Sequence, residues 1–372
     1  MIHIYDYDHF GRGIGKLNDE VIFVKGALKD EDVDITNVEE HKYFKECEVS
    51  KIIKKSPNRV EVVCPYYKKC GGCQLLHMSY QEQLNFKEEK VKNILTKYYK
   101  SDVVVKPIIS TTQFGYRNKL SLKVKNNKLG LYEEGTNKLV PIDKCLLASD
   151  KINELLSELK NKDLKGKNEI ILRSSNLGEY MVSFLNDEAF MLEKINDLVF
   201  KISAKSFFQV NTEGAVKLYN KILESLNPTG NEKVLDLYCG TGTISLYISK
   251  YVKEVTGIEI LEEAINDAKH NKEINNITNV KFVCTSASNL RVEPYDIIIV
   301  DPPRKGLDQM TIDKILEIKP TKLIYVSCEP ITLARDLKKL DKGYNVVEIT
   351  PLDMFPNTYH VECVCLLMKK NS

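Results

Sequence analysis

The chain has 372 residues, of which 43% are apolar and 28% charged, and its formal net charge is +2. This length is too great for one ordinary core, so we expect two or three domains. No segment resembles a signal peptide and no apolar run is long enough to span a bilayer, which predicts a cytoplasmic protein without a membrane partner. Ten cysteines in such a protein indicate metal ligands, nucleophiles or core residues rather than a disulfide framework.

Residues 1–57 are predicted to form a small β-barrel of the oligonucleotide-binding type. Glycines punctuate the opening, and the β-rich runs VIFVKGAL, EDVDIT and CEVSKII follow. Five such strands would close a barrel. The basic run KIIKKSPNR comes next, and charge alone favours a solvated edge there.

Residues 58–200 are predicted to form a central α+β domain. A group of cysteines at 64–73 precedes SYQEQLNFKEEKVKNILTKYY, a helix with Leu84, Val91, Ile94 and Leu95 at helical spacing. From Val103 the pattern favours strands: SLKVKNNKLGLYEEG is typical of a hairpin, and EIILRSS and YMVSFLN of single strands. The segment SDKINELLSELKN interrupts them as a second helix.

Residues 201–372 show strands that alternate with helices. The strands are VLDLYCGTG, EVTGIEI, VKFVC, YDIIIVDPP and KLIYVSCEP, and this alternation predicts a parallel sheet with crossover helices. The last two strands, GYNVVEIT and HVECVCLLMKK, are joined by a loop too short for a crossover helix. We therefore expect that pair to be antiparallel.

A glycine turn after the first of these strands suggests a nucleotide-like cofactor. Gly240 and Gly242 would let a ligand approach the backbone at the carboxyl edge of the sheet, although the dinucleotide fingerprint is incomplete. Glu259, about twenty residues later, could accept hydrogen bonds from ribose hydroxyls. Together with Asp236 it suits the positive sulfonium of S-adenosylmethionine better than a polyphosphate. Alternatively, Glu259 is an ordinary acid at a helix N-terminus.

Cys328 is the candidate nucleophile. It follows the fifth strand as Asp301 follows the fourth, so both are expected at the carboxyl edge of the sheet. A helix starts just after Cys328, and its unpaired amides should lower the thiol pKa. Alternatively, a cysteine behaves as a small buried hydrophobe, an interpretation that fits Cys284, Cys363, Cys365 and Cys47.

A cysteine of this kind suits methylation at carbon 5 of uracil. That carbon is a poor nucleophile until a thiolate adds to carbon 6, and a base must later remove the carbon 5 proton. Glu362 is the candidate base because it opens the apolar strand VECVCLL, where an acid is unusual. A glutamate merely exposed at the start of the strand is the alternative.

The motifs quoted so far resemble the RNA 5-methyluridine methyltransferase family. The matching segments are SFFQVN at 206–211, DLYCGTGT at 236–243, DPPRKG at 301–306, VSCEPITLARDL at 326–337 and HVE at 360–362. The resemblance implies a Rossmann-like class I methyltransferase domain with Cys328 as nucleophile and Glu362 as general base. It implies that the cofactor contacts are Gln209, Tyr238, Thr243, Glu259, Asp301 and, as a substitute for a missing acid, Ser286. The family motif SCNP is SCEP here, which places Glu329 beside the nucleophile.

The resemblance extends to the N-terminal half. CPYYKKCGGCQLLHMSYQEQL is similar to the iron–sulfur segment of the ribosomal branch, and residues 1–57 resemble its RNA-binding TRAM barrel. Four thiolates could bind zinc or a [4Fe–4S] cluster; the family implies the cluster, with ligands Cys64, Cys70, Cys73 and Cys145. YRNK at 116–119 resembles a motif near the substrate, and the region between Arg173 and Ser206 is shorter than usual.

The sequence as a whole predicts a monomeric enzyme that methylates a uridine in RNA. The TRAM-like segment and four cysteines favour 23S rRNA, with a tRNA uridine-5 methyltransferase as the alternative. Lys54, Lys55, Lys68 and Lys69 could hold flanking phosphates. An RNA cytosine-5 methyltransferase would need a cysteine in the DPPRKG motif, and a non-catalytic RNA-binding or assembly factor would not need both Cys328 and Glu362.

Overall fold

The structure is a computed structural model that describes residues 1–99, 103–184, 189–204 and 206–371. Two residues of the predicted strand YMVSFLN, Leu185 and Asn186, lie outside the described residues. Within those ranges, no helix is long and apolar enough to cross a membrane.

The N-terminal residues form a six-stranded sheet rather than the five strands predicted. Its strands are β1 (Ile2–His3), β2 (Asp6–Tyr7), β3 (Gly13–Leu17), β4 (Glu20–Lys25), β5 (Asp32–Glu40) and β6 (Lys45–Lys54), in the order β1-β5-β6-β4-β3-β2. The additional strand arises because the first residues of the chain form two short strands, one at each edge of the sheet. The amide of Ile4 donates to Glu31 O (2.9 Å) and that of Tyr5 donates to Ile14 O (2.9 Å). One segment therefore pairs with both β5 and β3.

The next helix confirms the predicted amphipathic pattern. Helix α1 (Tyr80–Tyr98) is capped by Ser79, whose hydroxyl accepts from the amide of Glu82 (3.3 Å). Its buried residues include Leu84, Val91, Ile94 and Leu95. The helix packs against the C-terminal part of the chain, and β7 (Val104–Val105) after it joins the C-terminal sheet.

A second antiparallel sheet follows, in the order β10-β9-β8-β11-β12. Its strands are β8 (Lys119–Lys125), β9 (Lys128–Tyr132), β10 (Leu139–Pro141), β11 (Glu169–Ser174) and β12 (Tyr180–Phe184). Helix α2 (Asp150–Leu159) covers it because Ile152, Leu155, Leu156 and Leu159 line one helical face and are buried. The hairpin of β13 (Phe190–Ile195) and β14 (Leu198–Ser203) packs instead into the core of the C-terminal part.

The C-terminal part alternates helices and strands as predicted. Its helices are α3 (Thr212–Leu226), α4 (Thr243–Ile248), α5 (Glu262–Ile274), α6 (Gln309–Ile318) and α7 (Pro330–Leu340), with short 3-10 helices at Ser249–Tyr251 and Ala287–Asn289. Its strands are β15 (Lys233–Leu237), β16 (Glu254–Glu259), β17 (Val280–Cys284), β18 (Ile297–Val300), β19 (Lys322–Ser327), β20 (Tyr344–Leu352) and β21 (Glu362–Lys369).

The large sheet runs β17-β16-β15-β18-β19-β21-β20-β7. Strands β15 to β19 are parallel, whereas β21 is antiparallel to β19 and to β20. This confirms the predicted antiparallel pair. All four residues of β18 are buried because helices cover both faces of the sheet. The polar residues that follow the strands are therefore left at one edge.

Candidate active site

The residues predicted for chemistry meet at the carboxyl edge of the large sheet. Tyr238, Asp301 and Cys328 directly follow β15, β18 and β19, and Glu259 ends β16. Glu362 opens β21, which runs the opposite way, so it reaches the same edge. Ser327 of β19 pairs with Cys363 of β21. Cys328, directly after β19, and Glu362 of β21 are the neighbouring residues at the same edge.

The glycine turn has the geometry of a tight, open loop. Gly242 has φ +82°, and a Cβ there would lie 2.6 Å from the ring of Phe282. Gly240 has φ +53° and no described atom near its missing side chain. Tyr238 also adopts a positive φ of 65°, which is costly for a bulky residue. The backbone is thus bent so that Gly240 faces open space.

Glu259 fastens the turn to the next strand. Its Oε2 accepts from the amide of Gly240 (3.3 Å), while Oε1 accepts from the amides of Ile260 (2.8 Å) and Leu261 (3.0 Å). Glu259 therefore does act as an acid at a helix N-terminus, as the alternative interpretation held, because α5 begins at Glu262. The same carboxylate still lies at the sheet edge beside the turn.

Asp236 before the glycine turn and Thr243 after it each accept one hydrogen bond from a neighbouring side chain. Asp236 is fully buried; its Oδ2 accepts from the Ser245 hydroxyl (2.6 Å), and Oδ1 has no hydrogen-bond partner among the described residues. Burial, helped by the charges of Asp301 and Glu259, raises the pKa of Asp236 to about 7. The hydroxyl of Thr243 accepts from Tyr219 (3.0 Å).

The two remaining predicted cofactor contacts lie in different settings. Gln209 is buried, and its backbone carbonyl accepts from the side-chain amide of Asn118 (3.2 Å). Ser286 follows β17, and its hydroxyl lies 2.7 Å from that of Ser288. That hydroxyl also accepts from the Ser288 amide (3.3 Å) as the cap of a 3-10 helix. Ser286 is therefore already engaged by its own turn.

Helix α5 fixes the turn from behind, a role that the sequence did not suggest. The side chain of Asn271 donates to the carbonyl of Thr241 (3.2 Å) and accepts from the amide of Lys201 (2.7 Å). Asp267 accepts from the hydroxyls of Ser203 (2.9 Å) and Ser206 (2.5 Å). The helix thereby holds both the glycine turn and the start of the SFFQVN segment.

Burial raises the pKa of all three acidic or thiol groups at the edge. Burial raises the pKa of Glu362 to about 8, and the nearby Asp301 adds to this. Burial also raises the pKa of Asp301 to about 7. Burial first, then the charges of Glu362 and Asp301, raise the pKa of Cys328 to about 12. The predicted lowering by the helix N-terminus is wrong for the free protein, because desolvation and two carboxyl groups outweigh it.

Arg304 opposes these shifts and was missed as a functional residue. Its charge lowers the pKa of both Cys328 and Glu362. Its guanidinium lies 3.3 Å from Nε2 of His360, and its carbonyl accepts from the hydroxyl of Thr332 (3.0 Å). The available signal was the basic residue directly after the two prolines of DPPRKG.

The four cysteines of the N-terminal half line one cavity. Cys64, Cys70, Cys73 and Cys145 surround it together with Arg117 of the YRNK motif. Burial raises the pKa of Cys70, Cys73 and Cys145, and the charge of Arg117 lowers it in all three. Nε of Arg117 is buried without a hydrogen-bond partner in the described part of the chain. Within that part, no group of three or more His, Cys, Asp or Glu residues is arranged to hold a metal ion.

Other residues depart from their expected surroundings. Cys47, Cys363 and Cys365 are buried as predicted, but Cys284 is exposed because it ends β17 at the open edge. Glu362 is 5% exposed, which argues against the alternative of an exposed glutamate. In the basic run, Arg59 is not simply solvated, since its guanidinium pairs with the buried Glu31 (2.6 Å).

Comparison with known proteins identifies the family. The sequence model of the family described as tRNA (Uracil-5-)-methyltransferase matches residues 184–370. An uncharacterized RNA methyltransferase of Clostridium tetani is 35% identical over 429 aligned positions, which cover 96% of this chain and 93% of that protein. One from Halalkalibacterium halodurans is also 35% identical, over 100% and 97%. The 429 positions exceed the length of this chain, so the clostridial protein has residues that are missing here.

A solved structure agrees over the whole chain. The crystal structure of Pyrococcus abyssi tRNA (uracil-54, C5)-methyltransferase in complex with S-adenosyl-L-homocysteine superimposes with a TM-score of 0.82 and 30% identity. It covers 99% of both chains. The resemblance stated from the motifs and the α/β methyltransferase fold are thereby confirmed. The chain belongs to the S-adenosylmethionine-dependent RNA (uracil-5-)-methyltransferase family.

Proposed function

We propose that this enzyme forms 5-methyluridine through a covalent bond between Sγ of Cys328 and carbon 6 of the target uracil. The observation that carries the proposal is the meeting of a thiol, a buried carboxyl group and a basic residue at one sheet edge. The charges of Glu362 and Arg304 both act on the pKa of Cys328, and Arg304 also lowers that of Glu362. A nucleophile and a base side by side are what a two-step addition and elimination requires.

The proposed reaction consists of an addition, a methyl transfer and an elimination. The Cys328 thiolate adds to carbon 6, and the electrons of the carbon 5–carbon 6 double bond move to form an enolate. Carbon 5 attacks the methyl group that the sulfonium of S-adenosylmethionine supplies, and S-adenosylhomocysteine leaves with the electron pair. The Glu362 carboxylate then takes the proton from carbon 5. The double bond forms again as the bond from Sγ to carbon 6 breaks.

The high pKa of Cys328 is consistent with a nucleophile that is activated when ligands bind. In the free protein the carboxyl groups of Asp301 and Glu362 disfavour the thiolate. A positive sulfonium brought to the same edge favours it, because an opposite charge nearby stabilises the ionised thiol. The pKa of about 8 for Glu362 suits a base near neutral pH.

S-adenosylmethionine is assigned to the sheet edge between the glycine turn and Asp301. We propose contacts with Gln209, Tyr238, Thr243, Glu259, Ser286 and Asp301. The acid-rich edge favours a cation, and the open space at Gly240 lets a ligand reach the backbone. Ile260, beside Glu259, is 64% exposed, so an apolar surface is available for the flat adenine ring.

A [4Fe–4S] cluster is proposed for the cavity of the four cysteines. Four thiols around one cavity could bind either a zinc ion or a cluster, and the resemblance of this segment to an iron–sulfur segment favours the cluster. When bound, a cluster of this kind supplies a rigid crosslink of the chain. Arg117 would offset its negative charge through the buried, unpartnered Nε.

The RNA is proposed to run from the N-terminal sheet to Cys328. We assign residues 1–57 to a TRAM-like barrel, 58–200 to a central domain and 201–372 to the methyltransferase domain. The exposed Lys54, Lys55, Lys68 and Lys69 are placed to hold phosphates. The target uridine must leave its stack, at a cost of about a few kcal/mol. We favour 23S rRNA; tRNA is the second candidate because the similar P. abyssi enzyme is named for uracil 54 of tRNA.

One experiment tests the chemistry and the target together. RNA from a strain that lacks the gene is incubated with labelled S-adenosylmethionine and either wild-type protein or Cys328→Ala. We expect wild type to incorporate label as 5-methyluridine, the variant to incorporate none, and a Cys284→Ala control to match wild type. Equal incorporation by wild type and Cys328→Ala would refute the mechanism. Mapping the label separates ribosomal from transfer RNA.

A further inference from the structure

One face of α1 is bonded to the loop that leads into Glu362. Gln83 exchanges two hydrogen bonds with Asn357: its side-chain amide donates to Oδ1 (3.1 Å), and its carbonyl oxygen accepts from the backbone amide (2.8 Å). Lys90 donates to the carbonyl of Tyr359 (2.8 Å). Between them on the same face, Lys87 donates to Asp353 (2.5 Å). Spacings of four and three residues put all three side chains in one row.

Two members of this row, Gln83 and Lys87, are shielded from water, and Lys90 is half-buried. The side chains of Lys87 and Asp353 are both 0% exposed, and Gln83 and Asn357 are buried as well. Lys87 also donates to the carbonyl of Phe355 (3.0 Å). Hydrogen bonds to a charged group are stronger than those between neutral groups, and removing one partner of a buried ion pair is strongly destabilising. The loop is therefore held in one place by the helix.

The loop ends at the reacting groups. Tyr359 precedes His360, whose ring is tilted by 49° against that of Tyr359 with the centroids 4.4 Å apart, and whose Nε2 lies 3.3 Å from the Arg304 guanidinium. Glu362 is two residues further on. A shift of the Tyr359 carbonyl is thus carried by a short stretch of chain to the carboxyl group. A misplacement of about 1 Å in such a group can cost about 100-fold in rate.

We propose that Gln83, Lys87 and Lys90 are positioning residues for the proton-abstraction step. They act on Glu362 through the loop that they bond. The inference rests on the proposed function, in which Glu362 removes the carbon 5 proton. It extends the active site to a helix that lies outside residues 184–370, the part that the family model matches.

Lys90 is the residue to test because it is not part of the buried Lys87–Asp353 pair, whose disruption could unfold the protein. Lys90→Met keeps most of the aliphatic stem and removes the donor. Lys92→Met is the matched control, since Lys92 pairs with Glu88 and Glu89 and its side chain is 39% exposed. Lys90→Arg restores a cationic donor. Glu362→Gln serves as the reference for a blocked final step.

The readout is the covalent RNA–protein complex on a denaturing gel, with RNA from the strain that lacks the gene. We expect Glu362→Gln to accumulate this complex and Lys90→Met to accumulate it in part, with single-turnover release about tenfold slower. Lys92→Met and Lys90→Arg should behave as wild type. Weaker RNA binding by Lys90→Met without accumulated complex, or release as fast as in Lys92→Met, would overturn the inference. No complex with Glu362→Gln would instead overturn the proposed mechanism.

Discussion

At the scale of single residues, the carboxyl edge of the large sheet carries acids whose ionisation is disfavoured. Asp236, Asp301 and Glu362 are desolvated, and their pKa values are raised to about 7, 7 and 8. Burial penalises each carboxylate, and the charge of Asp301 raises the pKa of Asp236 and Glu362 further. Such an edge favours a cation, which relieves the repulsion. The site is therefore electrostatically matched to a sulfonium cofactor.

The pH dependence follows from these raised values. In the proposed mechanism Glu362 must be ionised to accept a proton, and its pKa of about 8 leaves it mostly protonated below that pH. We expect the single-turnover rate of release from the RNA adduct to rise with pH between pH 6 and 8. Arg304→Met removes a charge that lowers the pKa of Glu362 and Cys328, so its profile should move to higher pH by roughly half a unit.

Rates measured at saturating RNA and cofactor provide this test, with Lys305→Met as the control. Lys305 is the exposed neighbour of Arg304 and does not contribute to the pKa shifts of the two groups. A profile for Arg304→Met that moves to lower pH, or one shared with Lys305→Met, would contradict this account of the site.

At the scale of elements, the conformation of the glycine turn depends on the helix and strand that pack against it. A Cβ at Gly242 would lie 2.6 Å from the ring of Phe282 on β17 and 3.1 Å from Ala268 on α5. Asn271 of α5 also bonds the turn through the carbonyl of Thr241. The turn therefore has space on its ligand side and close packing on its inner side.

Gly242→Ala should lower both stability and cofactor affinity. The new methyl group meets the Phe282 ring, and overpacking of this kind costs about 1–3 kcal/mol. Gly178→Ala is the matched control, because Gly178 has the same φ of +82° and no described atom near its missing side chain. Thermal unfolding and calorimetric titration with S-adenosylhomocysteine measure the two effects. Equal losses in the two variants would show that backbone strain, not packing, sets the requirement for glycine.

At the scale of the whole molecule, the cysteine cavity is tied to the active site through the backbone. Gln74, next to Cys73, and Leu75 both donate their amides to the carbonyl of Asn357 (3.1 and 3.0 Å). Asn357 also accepts from Gln83 of α1. The segment with three of the cysteines therefore braces the loop that carries Glu362.

If the four cysteines hold the proposed cluster, Cys73→Ser removes it and loosens this brace. We expect wild-type protein purified without oxygen to hold about four iron atoms per chain, and Cys73→Ser to hold almost none and to unfold at a lower temperature. Cys284→Ser is the control, since Cys284 is exposed and lies outside the cavity. Iron and sulfide analysis measures the outcome. Iron retained in full by Cys73→Ser, or zinc found in its place, would refute the proposed cluster.

Local pattern was enough to predict much of the catalytic half. The alternation of apolar strands and helices predicted the parallel sheet, and the short last loop predicted the antiparallel β21. Because strand ends of a parallel sheet share one edge, the positions of Asp301 and Cys328 followed directly. Helix α1 was found from its periodic apolar residues, since such a stripe must be buried wherever the helix docks.

The sequence by itself determined the strands of the C-terminal sheet from β15 to β21, the family motifs and which residues end those strands. Tertiary structure alone decided that α1 docks on the active-site loop, that Arg59 pairs with Glu31, and that Cys284 is exposed. It also decided that the pKa of Cys328 is raised rather than lowered. The physical reason is that periodicity reports the burial of neighbouring residues, whereas a pKa or an ion pair depends on desolvation and charges from distant segments.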